Sequence, residues 1–139
     1  MKIEGKIVLI NNSEDEGILL NKVILKSCYD IEVQFFQDEQ QALNYLIKTE
    51  DKIFLILCSY QLATCNGSEF KEKLESHPGL REKAIPFVFY SLSAGKNHVK
   101  EAYKYNLQGF FIQPIETQAQ VKLMETIIGY WILNLHPHA

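Results

Sequence analysis

The sequence predicts an α/β domain, a parallel five-stranded sheet with helices on both faces, and three observations lead there. Five short runs of β-branched and aromatic residues punctuate the chain, each followed by a segment with apolar residues at helical spacing. The central run, Ile53-Phe-Leu-Ile-Leu-Cys58, is apolar throughout. A strand without a polar side must be covered on both faces, as central strands of parallel sheets are. Strict alternation of strand and helix points the same way, because parallel neighbours need crossover connections.

The elements follow in order. Lys6-Ile-Val-Leu-Ile10 is a β-branched run closed by Asn11-Asn12 and reads as a buried strand. Ser13 with Glu16 has the spacing of a capping box and opens a helix to about Ser27, with Ile18, Leu19 and Val23 on its apolar face. Ile31–Phe36 is the second strand. Asp38 with Gln41 caps the next helix, where Ala42, Leu43, Leu46 and Ile47 share a face. After the third strand, Ile53–Cys58, residues 68–76 form a short helix that His77-Pro78-Gly79 stops. Pro86–Tyr90 is the fourth strand, and a more polar helix spans about Lys96 to Tyr105. Gly109–Ile112 is the fifth strand, and Thr117 with Gln120 caps a last helix reaching about Asn134.

The bulk properties narrow the function. A chain of 139 residues fits one domain, residues 1–139, and can bury roughly 70% of its unfolded surface. Net charge of −3 supplies no electrostatic attraction for nucleic acid or an anionic membrane. No apolar run approaches the roughly 20 residues of a spanning helix, and the start "MKIEGKIVLINN" lacks a signal-peptide core. Cys28, Cys58 and Cys65 form no paired framework and read as buried thiols in a reducing compartment, so a cytoplasmic location is expected.

In open α/β sheets, ligands bind beyond the carboxyl ends of the strands. That rule singles out Asn11, Asn12, Ser59, Ser91 and Gln113. With "VLINNSEDE", "SYQLATCNG", "IPFVFYSLSAG" and "GFFIQPI" at these ends, nearly the whole chain resembles the receiver domain of bacterial response regulators. The resemblance implies the CheY-like, flavodoxin-like (βα)5 three-layer sandwich with strand order 2-1-3-4-5. It also implies a site. Family members carry two acidic residues where this chain has Asn11 and Asn12, and a phosphate-accepting aspartate where counting back eight positions from Gly67 reaches Ser59. Ser91 takes the switch Ser/Thr position, Phe110 the aromatic switch position, and Gln113 replaces a lysine before Pro114. Only Ser91 and Phe110 keep the family's residue type, so the phosphorylation site is degenerate and the chain reads as a pseudo-receiver.

Phosphoryl transfer to a receiver needs a carboxylate nucleophile and a magnesium ion that neutralises the transferring charge. Asn11, Asn12 and Ser59 offer neutral oxygens, and Gln113 offers no cation. No cofactor is therefore expected, magnesium included. Glu14 and Asp15 are weak candidates for leaning in as substitute ligands; their plainer role is to favour the positive end of the first helix. Ser59 as a catalytic serine would need a base, and of His77, His98, His136 and His138 only His98 falls near the correct end of the sheet, within conceivable reach of Ser91 or Ser59. No G-x-S-x-G elbow surrounds Ser59, so no enzyme is expected. Cys58 is read as pointing into the core and Cys65 as the more accessible thiol, without a nearby basic residue to activate it.

Function is then expected on the surface. The resemblance implies that the face of the fourth helix, fifth strand and fifth helix docks partners or a second receiver. The last helix has more apolar residues than one stripe needs, which marks Ile128, Trp131 and Leu135, extended by Tyr103, Tyr105 and Phe110, as a candidate interface. The expected partner is a protein (a histidine kinase, another response regulator, or a second copy), with no nucleic acid and no membrane. Two alternatives remain: a phospho-accepting receiver in a phosphorelay, and a flavodoxin-like ligand binder or hydrolase using the emptied pocket. The second lacks a glycine-rich turn after the first strand, where "INNSEDEG" would repel phosphate.

Overall fold

The computed structural model describes residues 1–104 and 107–134. Five parallel strands, β1 (Lys2–Ile10), β2 (Asp30–Phe36), β3 (Ile53–Cys58), β4 (Phe87–Ser91) and β5 (Phe110–Ile112), pair in the order β2-β1-β3-β4-β5. Six helices connect or follow them: α1 (Glu14–Lys26), α2 (Glu39–Lys48), α3 (Gly67–Ser76), α4 (Pro78–Lys83), α5 (Lys96–Tyr103) and α6 (Thr117–Leu133). The fold class and strand order are those expected.

Alternate side chains of the strands sort into two cores. Ile7, Leu9, Leu55, Leu57, Val88 and Tyr90 meet α1 and α6 on one face. Val8, Ile10, Ile56, Cys58, Phe87 and Phe89 meet α2, α3, α4 and α5 on the other. Every residue of β3 is buried, so this strand serves both cores at once.

Local details depart from the sequence reading in four places. First, β1 begins at Lys2, not Lys6, because Gly5 at φ 104° makes a bulge that lets Lys2 pair with Asp30. Second, His77-Pro78-Gly79 does not simply end α3. Pro78 opens the extra short helix α4, whose first turn is capped by His77 Nδ1 accepting from Leu80 N at 3.3 Å, and Ala84 closes it in the left-handed conformation at φ 49°.

Third, two expected capping boxes do not form. Ser13 makes no side-chain cap on α1; its own N–H is held by Asn11 Oδ1. Glu116, not Thr117, precedes α6, and Gln120 turns its Nε2 onto the Pro114 carbonyl instead. Asp38 does cap α2, accepting from Gln40 N at 2.8 Å. A full box stands at α3, where Asn66 and Glu69 exchange hydrogen bonds. Fourth, Cys28 is exposed rather than buried, whereas Cys58 is fully buried and Cys65 partly so.

Gly67 is required by close approach. An added Cβ there would overlap the Phe89 ring, and the Gly67 N–H is tied to the Tyr60 carbonyl, so the loop cannot back away. Gly67→Ala is expected to lower stability by about 1–3 kcal/mol, read as a fall in the urea midpoint at unchanged slope.

Candidate functional site

The carboxyl ends of β1, β3, β4 and β5 bring together Asn11, Ser59, Ser91 and Gln113, all buried. Backbone bonds lock them in place: Ser59 N donates to Ile10 O at 2.9 Å and Gln113 N to Ser91 O at 2.8 Å. Asn11 Oδ1 accepts from Ser13 N at 2.9 Å, forming an Asx turn that launches α1. Asn12 points away; it is exposed, and its carbonyl accepts from Gln37 Nε2.

Glu14 and Asp15 are exposed in the first turn of α1, and neither lines the crevice beside Asn11. The carboxylate that does is Glu16, in the same first turn, in a crevice shared with Asn11, Tyr90, Gln113 and Gln120. Burial raises the Tyr90 hydroxyl above its ordinary value, and the negative charge of Glu16 adds to the shift.

Glu16 is the one carboxylate lining this crevice, which bears on whether a magnesium ion could be held. The ion asks for six oxygens in near-octahedral array, one or two of them carboxylates. The crevice offers about 10 Å³, the space of roughly one water. The Asn11 oxygen is already engaged, and no cluster of three His, Cys, Asp or Glu side chains among the described residues is arranged to hold a metal.

Ser91 Oγ accepts from Tyr60 N at 2.8 Å, a buried bond that joins the end of β4 to the loop after β3. Tyr60 is itself buried and lies at the centre of an aromatic group. Its ring centroid is 4.9 Å from His98 in a stacked pair, 5.4 Å from Phe89 edge-on and 5.9 Å from Phe110. The two switch-equivalent residues, Ser91 and Phe110, thus both meet Tyr60, Ser91 at its backbone N–H and Phe110 at its ring. His98 stacks on Tyr60, and the Ser91 hydroxyl is engaged by Tyr60 N.

The far side of the same loop is pinned by Glu39, a buried residue that opens α2. Its Oε1 accepts from Thr64 N at 2.9 Å and also from the Thr64 hydroxyl. Burial alone would push this carboxyl up; the Thr64 hydrogen bonds outweigh it and hold the group below its ordinary value. Burial pushes the Cys58 and Cys65 thiols up, and the Glu39 charge adds to both shifts, which disfavours a reactive thiolate.

The candidate interface divides. Ile128 is completely buried in the core, because α6 packs on α1 as well as on the sheet and so absorbs two apolar faces. Trp131 is half-buried against the same core, and Phe110 is half-buried among the aromatics. Tyr103 is exposed. Tyr105, Leu135, His136 and His138 lie outside the described residues.

Sequence reasoning missed Tyr60, Glu16 and Glu39. A tyrosine directly after the degenerate Ser59 was the available signal for the first. Nothing local marks Glu16 or Glu39, whose roles depend on which helix face meets the sheet.

Comparison with solved structures agrees with this fold. The phosphorylated cyanobacterial phytochrome response regulator RcpA superposes with a TM-score of 0.80 at 20% identity, covering 94% of this chain and 96% of that one. Response regulator RPA3017 in red light signalling of R. palustris gives 0.80 at 16% identity, again over 94% and 96%. A CheY-like receiver domain protein from Methanospirillum hungatei gives 0.71 at 12%, over 94% and 98%.

The fold is that of the response-regulator receivers. Among curated proteins, a probable methanogenesis regulatory protein FilR2 of Methanothrix harundinacea is 22% identical over 130 residues, 91% of this chain and 83% of that protein. No family model matches the chain. The receiver fold therefore comes with a strand-end pocket of amides and hydroxyls, in which Ser91 bonds to Tyr60 N and Asn11 to Ser13 N.

Ser91→Ala would strand the buried Tyr60 N–H. We expect a loss of about 1–3 kcal/mol, measured by urea unfolding, with most of it restored in Ser91→Thr.

Proposed function

We propose that this chain is the receiver-type module of a two-component signalling pathway and that it works by docking to a protein without being phosphorylated. In this reading no metal is required and the domain carries no catalytic residue. The observation that carries it is the pairing of strand-end residues that bear no charge, Asn11, Ser59, Ser91 and Gln113, with apolar side chains left open beside them. Leu92 just past β4, Ile112 at the end of β5, Ile115 in the next loop and Tyr103 on α5 are 65%, 48%, 98% and 53% exposed. Such a patch favours contact with another protein surface.

Ser91 connects to the patch through Tyr60 and Phe110, so a partner pressing on Phe110 would be felt at Ser91. Candidate partners are a histidine kinase, another regulator, or a second copy of the chain. No helix among the described residues is long and apolar enough to cross a membrane.

A phospho-accepting receiver is the competing reading. Incubation with acetyl phosphate and magnesium, read by intact mass, is expected to leave the protein unmodified; a phosphoryl adduct localised to Ser59 overturns the proposal. Light scattering decides among partners. A dimer at high micromolar concentration that Ile115→Glu converts to monomer identifies a second copy as the partner, whereas a monomeric wild type assigns the patch to a different protein.

A further inference from the structure

We propose that a cavity at the opposite end of the sheet binds a small monocarboxylate with an apolar body, held by the buried ammonium of Lys71. The site stands apart from the docking surface and does not depend on it, since it opens beside Phe87, the first residue of β4, whereas Ser91 is the last. Its volume is about 420 Å³, within the range of small-molecule sites. Ile56, Leu74, Leu80 and Phe87 supply apolar wall, and Lys71, Arg81 and Glu75 supply charge.

The wall exists because of α4. Pro78 and His77 start that helix and Ala84 ends it, which places Leu80 and Arg81 over a space that a direct crossover from α3 to β4 would leave open.

Lys71 is the unusual member. Only 7% of its side chain is exposed, yet its ammonium has one hydrogen bond, 2.8 Å to Glu75 Oε1. It otherwise faces the Phe87 ring, 5.3 Å from the centroid. An ammonium carries three donors, and burial without acceptors is costly. Its partner Glu75 is 41% exposed and sits towards water, so the remaining donors are left for an acceptor inside the cavity.

With Lys71 and Arg81 against Glu75, the lining carries one net positive charge. A carboxylate can accept from Lys71 and from Arg81 while an aryl or alkyl body lies on Leu74, Leu80 and Phe87. A phosphate or nucleotide would find too few donors for its charge, and an amine would meet two cations.

The test is an amide NMR titration of the full chain with hydrocinnamate, using hydrocinnamyl alcohol as its uncharged isostere. Saturable shifts grouped around residues 71–87, with the acid binding about tenfold more tightly than the alcohol, are expected. Lys71→Met keeps the apolar stem and should abolish the preference. Glu75→Gln removes the competing carboxylate and should tighten binding of the acid; it decides the matter if Lys71→Met fails to fold. Equal binding of acid and alcohol, shifts centred elsewhere, or no saturation up to about 10 mM each overturns the proposal.

Discussion

The structure depends on a strand that has no wet side. Ile53–Cys58 is buried residue by residue, so its backbone groups must pair with β1 and β4 and its side chains must be covered from above and below. Two helical layers follow from that demand, and so does the position of the residues just beyond the strand. Ser59 and Tyr60 leave β3 where they are still walled in by β1 on one side and β4 on the other.

Burial at that point makes charge expensive. An ionised group there would need an ion or a cationic partner, whereas a hydroxyl or amide needs one or two hydrogen bonds. The chain supplies the second kind at three places: Asn11 to Ser13, Ser91 to Tyr60, Gln120 to Pro114. Each bond also ties a loop to a neighbouring strand or helix. The strand ends become a braced platform, and with Glu39 clamping Thr64 the whole loop from Ser59 to Asn66 is held at both ends. In the docking reading, this rigidity is what presents Leu92, Ile112 and Ile115 to a partner at little entropic cost.

Much of this was legible in the chain. The continuous apolar run of β3, the alternation of strands with helices and the apolar stripe of α2 are local patterns, and they specified the layers, whereas the strand order followed from the resemblance. The positions of Ser59, Ser91, Phe110 and Gln113 followed from counting along a resemblance. The capping motifs were less dependable: Ser13 and Glu16 have the required spacing, but Asn11 takes the Ser13 N–H and Glu16 faces the crevice by Tyr90. Ile128 was misplaced for a related reason. A helix with apolar residues all round looks like an interface until it is known to touch a second helix, and α6 lies against α1.

By itself the sequence determined what is additive along the chain: which segments become strands, which strand lies at the centre, and that the site residues carry no charge. Those properties come from side-chain type and period, which neighbours in sequence already express. Tertiary structure decided whatever requires two distant segments to meet. It brought Tyr60 between Ser91 and Phe110, turned Glu16 rather than Glu14 or Asp15 towards the pocket, and buried Lys71 against Phe87. Such contacts depend on how each helix rolls on the sheet, and that angle is set by packing across the core rather than by any local pattern.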